Sequence, residues 1–499
     1  MLYAARKMLA HLPADKVLRL TAHLKALEQW PRNLNIGTGC SGTDVIMHSL
    51  DVLNSTWQSA YNTPIGIHHV WSCEKDKFKQ DFILAHWQPM TLYNDMDDLR
   101  SGGGVDVCSG MYKEVAPADI FICGIECDSI SSLNVNASKQ RACAQTGTDK
   151  TGSTMKHAMA YVDRHRPFVC IFEITKSVYC KPKDGSDSVY ECIVKDMNSF
   201  GFIVHSQVLS ADSFGSPQRR DRAWIMCFKV QLQPLNPNQN AKDFPLPKWA
   251  AEIQGDLRAM QIPMLPIERF LLCDSEVREI MANDPWFQVS CEKASKAAKT
   301  TSKPAEFEVN HLDAFAAAGL PWPPAWDDEP EFAARVACYP KRAREVIYYY
   351  SRLPRSEEDA MKETCHDINM NLAWHTEAEE KCVCITCSSI LYLRRRQREI
   401  LGTELLAIQG FSFEAQNNNK PGCSAATFSH RKKVELAGNA FNGFVGMAAL
   451  ISVIVAYPWP ADVATLSAAA KDGSEDDVDD GSSEHLANDL GEEDLSSED

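Results

Sequence analysis

Three groups of polar residues stand where side chains of their type could do chemistry. Cys127 follows residues 119–123, a short apolar run with β-branched and aromatic members that is closed by Gly124 and reads as a buried strand. A thiol just past a strand's carboxyl end is placed for nucleophilic attack; a buried structural cysteine is the alternative, since free cysteine is among the most buried residue types. Glu173 follows the apolar run in PFVCIFEIT, where partial burial would favour its protonated form. Gln218, Arg219, Arg220 and Arg222 crowd five residues of ADSFGSPQRRDRAW. Guanidinium groups suit anionic phosphates and polar base edges, and a charged surface turn is the competing reading.

A second constellation suits a nucleotide. Gly37, Gly39 and Gly42 in GTGCSGTD follow a first strand and would let the backbone approach a ligand, although they do not complete the dinucleotide fingerprint. Glu74, at the end of a second strand, can accept both hydroxyls of a ribose, and Asp95, at the end of a third, can take an exocyclic amine. Each acid alone also suits a helix cap. Three such features at three successive strand ends point to an adenosine-type ligand.

The elements that must position these groups alternate. Strands are expected at 33–38, 65–72, 91–94, 119–123, 168–173, 202–209 and 223–229, with helices at 75–87, 153–165 and 191–200. That alternation predicts an α/β fold, a mainly parallel sheet with helices on both faces. With 499 residues, 44% of them hydrophobic, the chain can bury at least one sizeable core. No apolar run approaches the ~20 residues that span a bilayer, so no membrane partner is expected. The first thirty residues carry charges throughout and read as one or two amphipathic helices, not a signal peptide. Eighteen cysteines without such a signal imply reduced thiols and no disulfide framework.

Net charge is −16, but residues 471–499 hold thirteen acidic residues against one lysine. This Ser-, Gly-, Asp- and Glu-rich tail is expected to be disordered, and its charge argues little against a nucleic-acid substrate.

Read together, these residues resemble the cytosine-5 DNA methyltransferase family, with motifs in the family's order over about 33–230 and 390–456 and features closer to a divergent fungal and algal branch. Gly39-Cys40-Ser41-Gly42 is similar to the cofactor loop; Glu74 and Asp95 match the ribose and adenine acids. Cys127 matches the catalytic cysteine, Glu173 the glutamate of the sixth motif, and Gln218, Arg220 and Arg222 the Gln-x-Arg-x-Arg of the eighth. RREILGTELLAIQGF, with Arg398, Glu404 and Gln409-Gly410-Phe411, resembles the ninth motif, and AGNAFNGFVGMAALISVI, with Asn439, the tenth. The resemblance implies a Rossmann-like catalytic domain and S-adenosyl-L-methionine as cofactor. The implied substrate is DNA, with tRNA as the alternative and a catalytically silent nucleic-acid- or partner-binding protein as the reading from another class. It also implies a nuclear location in a eukaryote and a cytoplasmic one otherwise.

The chain departs from the pattern in places. Glu126 and Asp128 flank Cys127 where the family has Pro and Gln, the sixth motif reads Glu-Ile-Thr, and the cofactor loop lacks the usual phenylalanine. Nearby carboxylates disfavour a thiolate unless they point away from it. The resulting division is an N-terminal helical segment (1–32), a first catalytic part (33–230), a target-recognition region (231–390) with a smaller irregular domain, a returning catalytic part (391–460) and the acidic tail (461–499). Within the recognition region, lysines at 293, 296, 299 and 303 and the run Lys341, Arg342, Arg344, Arg352 and Arg355, interleaved with Tyr348, Tyr349 and Tyr350, suit phosphates or a solvated helix face. Cys365, His366, His375, Cys382, Cys384 and Cys387 do not fit a common zinc spacing, and no metal is expected.

Overall fold

The computed structural model describes residues 1–28, 34–61, 66–127, 129–131, 147, 149–230, 248–287, 306–370, 372–374, 377–411, 428–457 and 459. The chain divides into two compact units. The first comprises Met1–Phe214, Asp221–Pro263 and the residues from Phe441 on; the second comprises Gly215–Arg220 and Met264–Ala440.

The first unit is built on β1 (Leu34–Gly39), β2 (Ile67–Cys73), β3 (Leu92–Tyr93), β4 (Gly103–Val105), β5 (Tyr112–Glu114), β6 (Ile120–Gly124), β7 (Val169–Thr175), β8 (Phe202–Ser210) and β9 (Asp221–Lys229). Seven of these form one sheet in the order β3-β2-β1-β6-β7-β9-β8, while β4 and β5 make a separate hairpin. β3, β2, β1, β6 and β7 run parallel, and β9 is antiparallel to both its neighbours. The fold is therefore the expected α/β architecture, and the expected strands fall within a few residues of those observed. The central strands are buried along nearly their whole length because helices cover the sheet, which is why they read as continuous apolar runs in the sequence. The β4–β5 hairpin was not expected: each arm has three residues, two of them glycine in β4, too little for a periodic signal.

The Gly443–Ala456 helix is buried at every position and packs on Val45–Tyr61. Ser49 Oγ donates to Gly443 O (2.9 Å), and a Cβ at Gly446 would lie 2.4 Å from Ile46, so these helices meet closely at that glycine. By length and composition the stretch His430–Ala456 would pass for a membrane span, but 94% of its apolar 18-residue window is buried inside the protein, and the stretch is interrupted between its two helices. It serves as core.

The second unit carries an antiparallel sheet in the order Glu377–Glu379, Thr364–Asp367, Leu391–Leu393, Arg398–Glu399. The Glu306–Ala317, Pro330–Val336 and Lys341–Arg352 helices belong to the same unit. Residues 391–440, expected to return to the sheet-bearing part, pack here, and the chain rejoins the first unit at Phe441. The cause is local. Arg398 makes a two-pronged ion pair with Glu404 (2.7 and 2.8 Å), and Glu404 also accepts from the amides of Leu401 (2.7 Å) and Leu272 (2.8 Å). The Gly402–Ile408 and His430–Asn439 helices pack together, with Gly402 N donating to His430 Nδ1 (3.0 Å) and His430 N to Asp284 Oδ2.

Candidate active site

In the sheet the strand order turns at β1 and β6, where successive strands leave in opposite directions, and the crevice at the carboxyl ends of such a pair is where ligands bind in α/β sheets. The glycine loop leaves β1 there and Cys127 follows β6 there.

The loop is held by its own chemistry. Cys40, Gly42 and Asp44 all have left-handed φ (48°, 57° and 51°), a conformation costly for the two that carry side chains. Bonds to β2 offset that cost. Ser41 N donates to Cys73 O (3.0 Å), Cys73 N donates to Ser41 Oγ (3.2 Å), and Gly42 N donates to Glu74 Oε2 (2.8 Å). Glu74 Oε1 accepts from Asp76 N (2.9 Å). Burial raises the Glu74 pKa, and Lys79 and the two amides offset this in part. Asp95 caps the Met96–Ser101 helix, accepting from Asp97 N (3.0 Å) and from Lys75 Nζ (2.8 Å). Partial burial raises its pKa, but Lys75 and the Asp97 amide outweigh this and hold it below the ordinary range. The cap reading of Asp95 is thus realised, and its carboxylate still stands at the end of β3, beside those of the loop and β2.

These residues fit an adenosine-bearing group. A Cβ at Gly39 would sit 3.1 Å from Met96 Sδ, so glycine keeps the strand end close to its neighbours, and carboxylates stand at the two adjacent strand ends.

A buried polar cluster beneath the loop carried no sequence signal beyond the three-residue spacing of Thr38, Ser41 and Asp44. Ser72 Oγ donates to Asp44 Oδ2 (2.5 Å), Thr38 and Ser41 share a hydrogen bond (2.8 Å), and His69 Nε2 lies 2.8 Å from Ser72 Oγ and 3.8 Å from Asp44. Burial pushes Asp44 up to about 7 and His69 down to about 4, so the pair is neutral together over the interval between.

Beside the loop, Cys127 is half-buried and packs on the core that includes Cys123, Ile125 and Ile130. Its carbonyl accepts from the amides of Ile130 (3.1 Å) and Ser131 (2.8 Å), which turns the chain at once. Glu126 is exposed and its charge acts on Lys75. Asp128 lies outside the described residues. Gly124 is paired in register with Glu173, and Ile125 N donates to Glu173 O (3.2 Å), so the cysteine segment starts beside the glutamate. Glu173 is 8% exposed, with Arg222 Nε 3.4 Å from its Oε1. Strand pairing brings these residues of the first unit together.

Gln218, Arg220 and Asn439 belong to the second unit. Gln218 forms a parallel bridge with Cys382, and neither polar atom of its buried amide has a hydrogen-bond partner among the described residues. Arg220 is 5% exposed and donates to Ile385 O (3.2 Å) and Ala440 O (3.0 Å). It therefore ties the segment after Cys382 to the carboxyl end of the His430–Asn439 helix, work that its sequence context did not announce. Asn439 Nδ2 donates to Glu435 O (2.9 Å). A Cβ at Gly438 would lie 2.3 Å from the backbone at Thr386 and Cys387, so only glycine allows that approach. Cys365 and Cys382 are buried as hydrogen-bonded thiols, and among the described residues no group of three or more His, Cys, Asp or Glu could hold a metal; His375 lies outside them.

The pattern of the C-5 cytosine-specific DNA methylases matches residues 52–422. The DNA (cytosine-5-)-methyltransferase DMT5 of Cryptococcus neoformans is 24% identical over 241 residues, 48% of this chain but 9% of that protein. The type II methyltransferase M.HhaI of Haemophilus parahaemolyticus is 23% identical over 208 residues, 42% of this chain and 54% of the relative. The chain thus spans about half or less of the relatives it matches. Among solved structures, a Spodoptera frugiperda DNMT2 mutant aligns with 85% of this chain and 99% of its own at 13% identity and a TM-score of 0.39. S-adenosylmethionine is the methyl donor of the matched family. The chain belongs to the C-5 cytosine-specific DNA methylase family.

Proposed function

We propose that this chain methylates carbon 5 of cytosine in DNA through a transient bond between Cys127 and the base. The observation that supports this best is the placement of Cys127 at the turn of the sheet order, on a segment that begins in register with Glu173. Carbon 5 of cytosine is a poor nucleophile until a thiolate adds to carbon 6. Cys127 Sγ forms that bond, and the ring electrons move toward carbon 5. Glu173, buried and adjoining, donates to ring N3 and accepts from the amino group, which stabilises the adduct. Arg222, already against Glu173, orients that carboxyl, and Arg220 and Gln218 hold the segment they cross-link in the second unit. Gly39, Cys40, Ser41, Gly42, Glu74 and Asp95 are assigned to the S-adenosylmethionine, which when bound supplies the methyl group. Loss of the carbon-5 proton then breaks the Sγ–C6 bond and restores the ring. A duplex hides carbon 6, so the base must leave the stack, at a cost of a few kcal/mol. The nucleus of a eukaryote, or otherwise the cytoplasm, is the compartment where such a substrate is met.

DNA carrying 5-fluorocytosine tests the route, because fluorine replaces the proton whose loss frees the enzyme. A covalent complex is expected with the natural chain and none with Cys127→Ser. Trapping by Cys127→Ser, or at another cysteine, overturns the assignment. Parallel assays with DNA and tRNA decide the substrate.

A further inference from the structure

The basic run at 341–355, which in sequence suits phosphates, is largely answered within the second unit. Lys341 pairs with Glu308, Arg352 with Glu329 and Arg355 with Glu377, and Arg342 donates to Asn369 Oδ1 (2.7 Å). Tyr348 and Tyr350 are buried in the core.

Arg352 and three arginines outside that run, Arg335, Arg394 and Arg395, line a cavity of about 700 Å³ in the same unit. Its floor is aromatic: Phe332, Tyr350 and Tyr392, each less than a tenth exposed. Arg335 and Arg352 lie over the Phe332 ring, 5.3 and 5.5 Å from its centroid. Arg394 and Arg395 come from the tight turn between Leu391–Leu393 and Arg398–Glu399. The backbone of that turn is pinned, since the Glu363 carboxylate accepts from the amides of Arg395 (2.7 Å) and Arg396 (3.3 Å). Arg394 Nε donates to Tyr350 O (3.0 Å). Burial and, after it, the neighbouring Arg355 lower the Arg394 pKa, and Glu377 and Glu363 offset this in part. Arg395 is exposed, and its guanidinium has no partner among the described residues. Two acids also line the cavity, but Glu329 is taken by Arg352, which leaves Glu331 against Arg335, Arg394 and Arg395.

A cavity of this size suits a small molecule or a single unit of a polymer. Forked guanidinium groups match phosphate oxygens in two-pronged fashion, and planar cations beside aromatic rings match a planar base. We propose that this cleft binds a nucleotide unit, a phosphate ester beside a planar base, the chemistry shared by a free nucleotide and a strand of nucleic acid. It uses none of the residues assigned to methyl transfer and stands independently of that function.

The test uses the full chain and three probes: inorganic phosphate, cytidine monophosphate and a short labelled single strand. Binding is followed by calorimetry or fluorescence anisotropy for the natural chain, Arg395→Glu and Arg394→Ala. Arg395→Glu alters an exposed side chain and is expected to keep the melting temperature while weakening nucleotide binding about tenfold, the loss of one charge-assisted contact. Weakened mononucleotide binding identifies a free nucleotide as sufficient. A response of the strand alone, with a shallower salt dependence in the variant, identifies a strand. Unchanged affinity for every probe in both variants overturns the site, and so does equal affinity for phosphate and mononucleotide. Methyl transfer is measured on the same samples: a chain that binds nucleotide at this cleft but never methylates refutes the proposed function alone.

Discussion

Asp44 shows how one residue's environment shapes the site. Its carboxyl is buried under the glycine loop with Ser72, Thr38, Ser41 and His69 around it, and burial raises its pKa from 3.8 to about 7. A carboxyl raised in the folded state favours folding when protonated. That contribution is full below the unfolded value and is lost as pH rises through the folded one, so this group by itself lowers stability between about pH 4 and 7, while His69, lowered to about 4, contributes an opposite slope up to its ordinary value of 6.5. The slope from this group is at most about 1.4 kcal/mol per pH unit. Asp44→Asn should remove the falling contribution and leave stability rising with pH from about 4 to 6.5 through His69, measured by urea unfolding at several pH values. An unchanged slope would show that Asp44 keeps its charge through its three hydroxyl neighbours.

At the scale of elements, β1 and β2 are locked by a glycine. A Cβ at Gly37 would lie 2.3 Å from the Trp71 ring, and Trp71 is itself fully buried, with its Nε1 donating to Ala116 O (2.9 Å). Since the ring cannot swing away without losing that bond, Gly37→Ala should destabilise the first unit by about 1–3 kcal/mol or more, the usual cost of overpacking. A lowered urea midpoint is the expected reading. Unaltered stability would mean that Trp71 has a second packing position. The central strands β6 and β7 were legible because each is an apolar run between breakers. What each strand end does was less so: taken alone in sequence Asp95 reads as a cap before it reads as a ligand, and in the structure it caps a helix and pairs with Lys75.

Across the whole molecule charge is segregated. Residues 471–499 hold −12 of the net −16, so the remainder is close to neutral. Removing them should leave methyl transfer intact and tighten non-specific DNA binding at low salt, an effect that fades as salt screens the repulsion. Gel-shift titration at two ionic strengths measures this. Loss of activity on truncation, with the melting temperature unchanged, would show instead that the tail takes part in the reaction.

Sequence alone determined the α/β class and the places of the main strands along the chain, because these depend on local periodicity. The tertiary structure decided the company that side chains keep. It bonded Glu74 to the Gly42 amide, placed Glu173 against Arg222, and spent the Arg220 guanidinium on the carbonyls of Ile385 and Ala440. It also assigned 391–440 to the second unit and answered the basic run at 341–355 with acids 20 or more residues away. Such pairings join residues far apart in the chain, and no local pattern records which partner a charge will meet once burial makes a partner necessary.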